Sequence, residues 1–421
     1  MMKVHPDTAS KTLTIDVRES TTYQPVVGFG GSLTESSAWL IVNTLGASQR
    51  DAVMTALFSP TAGIGLNLLR QPMGASDFAL THYTYDDTCC DLSDFSIDHD
   101  RAYILPLLRQ AIALNPQARV IASPWSAPAW MKSSGSLYGG RLLTSYYGTY
   151  DDYFVRFVQS YAAEGAPVGF VTLQNEPHNE PADYPGMRWG ATDQAVFVKE
   201  HLGPAFAAAK LPTRIVVWDH NWDEPQYPIA VLNDPGAKPY IDGSAFHCYA
   251  GSVANQTQVH NAHPDRNIHF TECTSGEWST NWENNLLWDF QNLLIGNFRN
   301  WGVSVTKFNL ALDQANGPHL GGCTNCIGVV TINTASGAVT FNHDYYALGH
   351  FSKFVAPGAV RIDSNQFETR GLYDVAFKNP DGSKVTIVVN SAKTRATFKV
   401  RWSGQSITYT LPRQSAATFT W

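Results

Sequence analysis

The sequence is short of charge: Asp, Glu, Lys and Arg make up 15% of its 421 residues, against about 25% in an average soluble domain. It lacks a basic excess. Its 29 Lys and Arg face 36 Asp and Glu, for a net charge of −7, which excludes a nucleic-acid partner bound by phosphate neutralisation. Long apolar runs are missing too. None approaches the roughly 18–20 residues of a spanning helix, so no integral membrane segment is expected. The 13 His contain no HxH and no HExxH, so no metal is expected; no organic cofactor is expected either. Cys323-Thr-Asn-Cys326 has no second CxxC and no His at finger spacing, which leaves a short disulfide loop or two free thiols. The opening Met1-Met2-Lys3-Val4-His5-Pro6 lacks an apolar leader core. That fits a cytoplasmic protein or a secreted one whose leader has been removed; a secreted setting is the expectation.

What the chain does have is aromatic residues: 12 Trp, 18 Tyr and 21 Phe. Rings in that number fill a large core, or line a concave surface suited to a flat ligand. Sugars fit such a surface, because their C–H faces stack on rings while their hydroxyls seek hydrogen bonds.

Eight short apolar runs recur: Val26–Gly31, Gly63–Arg70, Ala118–Ser123, Gly169–Gln174, Thr213–Asp219, Gly243–Tyr249, Asn267–Glu272 and Val303–Leu310. Their nearly continuous apolar character fits parallel strands buried on both faces. Helical patterns lie between them, at Ala102–Leu114, Tyr150–Ala163, Gln194–Ala209 and Leu286–Phe298, and Tyr345–Phe354 closes the series. Eight strand–helix units predict an α/β fold, a (β/α)8 TIM barrel over 26–355. Beyond it, Leu372–Lys378, Lys384–Asn390, Ala396–Trp402 and Ser406–Leu411 alternate as short strands with turn signals between them. They predict a small antiparallel, sandwich-like side module over 356–421, completed by a strand at Leu13–Val17 within residues 1–25. No Gly-, Ser- or Pro-rich linker separates module from barrel, so rigid packing is expected.

A TIM barrel keeps its active site at the C-terminal ends of its strands. The fourth strand runs into Gln174-Asn175-Glu176-Pro177, and the seventh ends Thr271-Glu272. Pro177 cannot continue a ladder and marks Glu176 as the exit residue. Two carboxylates over one pocket suit glycoside hydrolysis, one protonated to serve the leaving oxygen and one ionised. Asn175 places an amide where it can bind a substrate hydroxyl.

Several segments resemble glycoside hydrolase family 30: Gly28-Phe29-Gly30-Gly31-Ser32-Leu33-Thr34-Glu35, the stretch from Leu68 to Phe78, Ala122-Ser123-Pro124-Trp125-Ser126-Ala127-Pro128, Phe246-His247-Cys248-Tyr249, Thr271-Glu272-Cys273 and Asn309-Leu310-Ala311-Leu312-Asp313. That family includes glucosylceramidases and endo-β-1,6-glucanases. The resemblance implies Glu176 as acid/base and Glu272 as nucleophile. It implies that Arg70 and Asp77 line the sugar pocket, that Trp125 forms a stacking wall, and that His247 and Tyr249 face the mouth, with Tyr249 bonded to Glu272. Phe308 stands where glucosylceramidase-like sequences carry Trp, and Cys248 also stands in place of a Trp. The loop after Glu176 keeps Tyr184-Pro185, bordering the leaving-group subsite, and its Glu180 and Asp183 make it polar.

The expected function is a retaining β-glycosidase that hydrolyses β-glucosyl linkages through a covalent intermediate, with β-1,6-glucan as substrate. The alternatives within the family are glucosylceramidase and β-glucosidase, β-xylosidase or β-fucosidase. An alternative of another class is a non-catalytic carbohydrate-binding protein. The expected partner is a carbohydrate in each case.

Overall fold

A computed structural model describes residues 5–8 and 11–421; Met1–Val4, read above for a leader, lie outside the described residues. Eight parallel strands form one sheet: β1 Gly28–Ser32, β2 Leu68–Pro72, β3 Arg119–Ser123, β4 Val168–Thr172, β5 Arg214–Asn221, β6 Ile241–His247, β7 Asn267–Glu272 and β8 Ser304–Lys307. The sheet closes on itself. The Val303 amide donates to the Ile268 carbonyl at 2.8 Å, and the Phe308 amide to that of Cys273 at 3.0 Å. Glycine sets two of the closest strand contacts: a Cβ on Gly30 would lie 1.5 Å from the Leu68 carbonyl oxygen, and one on Gly243 would lie 1.9 Å from that of Asn267.

Inside the barrel, side chains stack in layers, because successive residues of a strand face opposite ways. Leu68, Ile121, Phe170, Val216 and Ala245 form an apolar layer. Two residues further along, β2, β3, β4 and β6 carry Arg70, Ser123, Thr172 and His247, all buried. The apolar layer is thus the floor on which a polar layer stands, at the C-terminal rim.

Two bulges break this alternation. In β5 the register shifts between Trp218 and His220, and both Trp218 (φ 74°) and Asp219 (φ 65°) are left-handed. A bulge re-aims one side chain. Here Asp219 turns inward, and Trp218 packs on Tyr227 with ring centroids 4.4 Å apart. A second shift pairs His247 directly with Glu272, so Thr271 and Glu272 both reach the rim.

The side module forms a second eight-stranded sheet. The strand Leu13–Pro25 pairs antiparallel with β9 (Val360–Ser364) and parallel with the strand Ala396–Trp402. The module is therefore not purely antiparallel. Val360–Ser364 and Ser415–Thr420 also belong to it; the first alternates apolar and polar residues but is not among the strands read from the sequence, and the second, SAATFT, alternates too weakly to be read as one. Ile15, Val17, Val388, Phe398 and Phe419 fill its core. The module is tied to the barrel by polar contacts. Gln24 donates to the Phe298 carbonyl at 2.6 Å, and Arg299 donates to the Asp374 carbonyl at 2.6 Å and to its carboxylate at 3.1 Å. Among the described residues no helix is long and apolar enough to cross a membrane.

Candidate active site

The polar layer is organised around Arg70, which has no solvent exposure. Its Nη1 donates to Glu272 Oε2 at 2.5 Å. Its Nη2 donates to Asn175 Oδ1 at 2.6 Å and to Asp219 Oδ2 at 3.0 Å. The guanidinium carbon sits 4.8 Å from the centre of the Trp125 ring. Burial works against the charge on Arg70, but Asp219 and Glu272 outweigh it and hold the group cationic.

Asp219 is equally buried. It accepts from Ser123 Oγ at 2.7 Å, Thr172 Oγ1 at 2.7 Å and Thr271 Oγ1 at 2.6 Å, besides Arg70. Burial pushes its carboxyl up, but Arg70 and His247 pull it well below the usual range. His247 bridges outward. Its Nε2 is 3.0 Å from Asp219 Oδ1 and its Nδ1 is 3.1 Å from Glu176 Oε1. The same Nδ1 lies 3.9 Å from Glu272 Oε1, so both expected catalytic carboxylates flank one nitrogen. Only an imidazolium donates from both ring nitrogens. Burial alone would lower its pKa; the charge of Glu272 and the bonds to Asp219 and Glu176 raise it to about 9.

Glu176 lies beyond its strand rather than at its exit. β4 stops at Thr172, and Glu176 sits on the following turn with φ 49°. Left-handed backbone at a non-glycine residue carries strain, which collects at functional sites. The turn is pinned by the Glu176 amide donating to the Asp219 carbonyl at 2.9 Å. Burial pushes the Glu176 carboxyl up, while His220 and His247 outweigh it and hold it down. Of the pair, the surroundings favour the charged form of each: His247 is held towards imidazolium and Glu176 towards carboxylate. Asn179 Nδ2 donates to Glu176 Oε2 at 2.8 Å and to the Tyr184 hydroxyl at 2.9 Å.

These groups open into a cavity of about 490 Å³ lined by Asp77, Trp125, Asn175, Glu176, Tyr184, Tyr249, Glu272 and Phe308. Arg70 and His247 lie beneath it, so all ten residues singled out in the sequence meet at one place. Tyr249 donates to Glu272 Oε1 at 2.9 Å. Trp125 and Phe308 stack with centroids 5.9 Å apart and form one wall. Asp77 makes no ion pair with Arg70. Its carboxyl is pushed up to about 8 by burial and by the charges of Glu272 and Glu176.

Sequence reasoning missed Asp219, His220, Asn179 and Trp278. Asp219 ends the fifth predicted strand, but only the β5 bulge turns its side chain inward. Asp183 reaches the cavity lining, whereas Glu180 turns away to the Gly140 amide at 3.2 Å. Cys323 and Cys326 form a disulfide, and Cys248 and Cys273 a second one between the ends of β6 and β7.

Ligand atoms of Glu176, His220 and His247 lie within 4.8 Å of one another, as do those of Asp289, His343 and Asp344. In the first group both His247 nitrogens already face carboxylates. In the second, the Lys307 ammonium stands 3.0 Å from Asp289 and 2.6 Å from Asp344 and supplies the cation.

Comparison with known proteins agrees with this geometry. Residues 26–355 match the glycosyl hydrolase family 30 TIM-barrel domain, and residues 358–419 match the glycosyl hydrolase family 30 beta sandwich domain. The endo-1,6-beta-D-glucanase neg1 of Aspergillus fumigatus is 35% identical over 97% of this chain and 87% of its own. The lysosomal acid glucosylceramidase of Mus musculus is 32% identical over 87% of this chain and 75% of its own. A solved structure described as the endo-beta1,6-glucanase BT3312 superposes with a TM-score of 0.93 at 33% identity, covering 98% of this chain and 96% of the other. The chain is a glycoside hydrolase and belongs to glycosyl hydrolase family 30.

Proposed function

We propose that the protein is a retaining β-glycosidase that cleaves β-1,6-linked glucan within the chain. The observation that carries the reaction type is the unequal setting of two facing carboxylates. Glu272 receives Arg70 and Tyr249, which suit an ionised nucleophile. Glu176 shares a proton with His247, which suits an acid that must give up a proton and later take one back. In the first step Glu272 attacks the anomeric carbon and Glu176 protonates the departing oxygen. His247 Nδ1 supplies the proton that Glu176 passes on. In the second step Glu176 accepts a proton from water, which attacks the same carbon and frees Glu272. Asn175 and Asp77 face the sugar hydroxyls, and Trp125 with Phe308 offers the stacking wall.

The glucan preference is supported by likeness to relatives described as endo-1,6-beta-glucanases. Polar side chains at the rim of the pocket, Asn179 and Asp183, support it too. A secreted setting is supported by the Cys248–Cys273 and Cys323–Cys326 disulfides, which persist in oxidising surroundings. We divide the chain at 1–25, 26–355 and 356–421. The test is product analysis on a β-1,6-glucan, a β-1,3-glucan and a glucosylceramide. The expected result is a ladder of short β-1,6-linked oligosaccharides from the first alone. Cleavage of the glucosylceramide alone would favour the lipid substrate instead.

A further inference from the structure

Next to the catalytic cavity lies a second one of about 480 Å³, on the loop that follows β7. Tyr249, Thr274 and Trp278 line both, so the two adjoin. The second cavity has an aromatic rim. Trp278 is 57% and Trp288 is 42% exposed, high values for residues with this much apolar surface. Between the rings the lining is polar, with Asn284 and Asn285. Its base holds Asp289 and His343, both 3% exposed, and Asp289 Oδ2 and His343 Nε2 have no hydrogen-bond partner. Asp289 also opens a π turn, Asp289–Leu294, in the helix that follows, and such turns are frequent at functional sites.

We propose that this second cavity is a distal glucan-binding site, holding sugar units of a bound chain beyond the unit seated between Glu176 and Glu272. The proposal rests on the reading of the protein as a polysaccharide glycosidase. The chemistry selects the occupant. Flat rings interleaved with amides match the alternating C–H faces and hydroxyls of a sugar. An acyl chain would cover the rings but leave the buried Asp289 and His343 atoms unsatisfied, which is costly. A charged ligand is disfavoured because Lys307 already offsets Asp289 and Asp344. Adjacency to the catalytic cavity favours an occupant that is part of the same substrate chain over a separate ligand.

The test compares wild type with Trp288→Ala and Asn284→Ala on an aryl β-glucoside and on β-1,6-linked gluco-oligosaccharides from disaccharide to hexasaccharide. Wild-type kcat/KM should rise with chain length. Trp288→Ala should lose about tenfold on the hexasaccharide and nothing on the aryl glucoside, which is too short to reach Trp288. Asn284→Ala, which removes an exposed polar group, should lose less in the same direction and serves if Trp288→Ala fails to fold. A wild-type rate on glucan that ignores chain length, or an equal loss on every substrate, overturns the site and leaves the glucanase reading standing. Cleavage of the aryl glucoside but of no glucan overturns both.

Discussion

Arg70 and Asp219 meet 3.0 Å apart with neither side chain exposed to solvent, and the pair lies beneath the carboxylates of Glu176 and Glu272. Each holds one of those carboxylates in place, Arg70 by contact with Glu272 and Asp219 through His247. Breaking a buried pair by removing one partner costs about 3–5 kcal/mol, because the other charge is left uncompensated. Arg70→Ala is therefore expected to lower the thermal midpoint sharply as well as to abolish turnover. Thermal unfolding alongside kcat/KM checks this. A variant that is inactive yet as stable as wild type would show that the pair does not support the fold.

Asp219→Asn removes a negative charge from beside His247 while keeping its shape. The pKa of His247 stands near 9 partly because of that charge. Its loss should let the shared proton leave at lower pH, moving the basic limb of kcat/KM down by about one unit. The pH profile on an unactivated glucoside, where acid catalysis matters, reads the effect. An unmoved limb would mean that His247 does not supply the proton of Glu176.

Asp77 gives a stability prediction with a definite sign. Its carboxyl is raised from 3.8 to about 8 in the folded protein. Between those values the folded chain holds a proton that the unfolded chain has lost, so stability falls as pH rises through the window. Asp77→Asn abolishes that dependence. Relative to wild type, the variant should gain stability steadily from about pH 4 to about pH 8. Thermal midpoints of the two proteins across this range decide it. A constant difference would place the Asp77 pKa outside the window.

Tyr249→Phe deletes one hydroxyl that donates to Glu272 at 2.9 Å. Hydrogen bonds to charged groups contribute about 1.5–3 kcal/mol, so kcat/KM should fall by about ten- to a hundredfold. The thermal midpoint should barely change, because the ring is 44% exposed. A loss within twofold would show that Arg70 alone positions the nucleophile.

The barrel was legible in the sequence because its strands are short, nearly continuous apolar runs separated by helical patterns, and because Glu176 follows one strand and Glu272 ends another. Arg70 followed from the family motifs, and His247 from those motifs together with its place at the end of the sixth strand. Asp219 was less legible. Plain alternation from Val216 points Trp218 inward, and only the β5 bulge exchanges it for Asp219. Bulges depend on pairing with neighbouring strands, so the sequence of β5 alone does not announce them. The Cys248–Cys273 link had the same obstacle, since it joins two strand ends that only the pairing of β6 with β7 brings together. Trp278 sits on a loop, where periodicity carries no signal.

The most direct measurement of the central claim is covalent trapping with an activated 2-deoxy-2-fluoro-β-glucoside, followed by mass analysis of the digested protein. The account predicts one glycosyl adduct, on the peptide carrying Glu272, and a β-anomer as the first product from a natural substrate. An adduct at another residue, or an α-anomer as the first product, would contradict it.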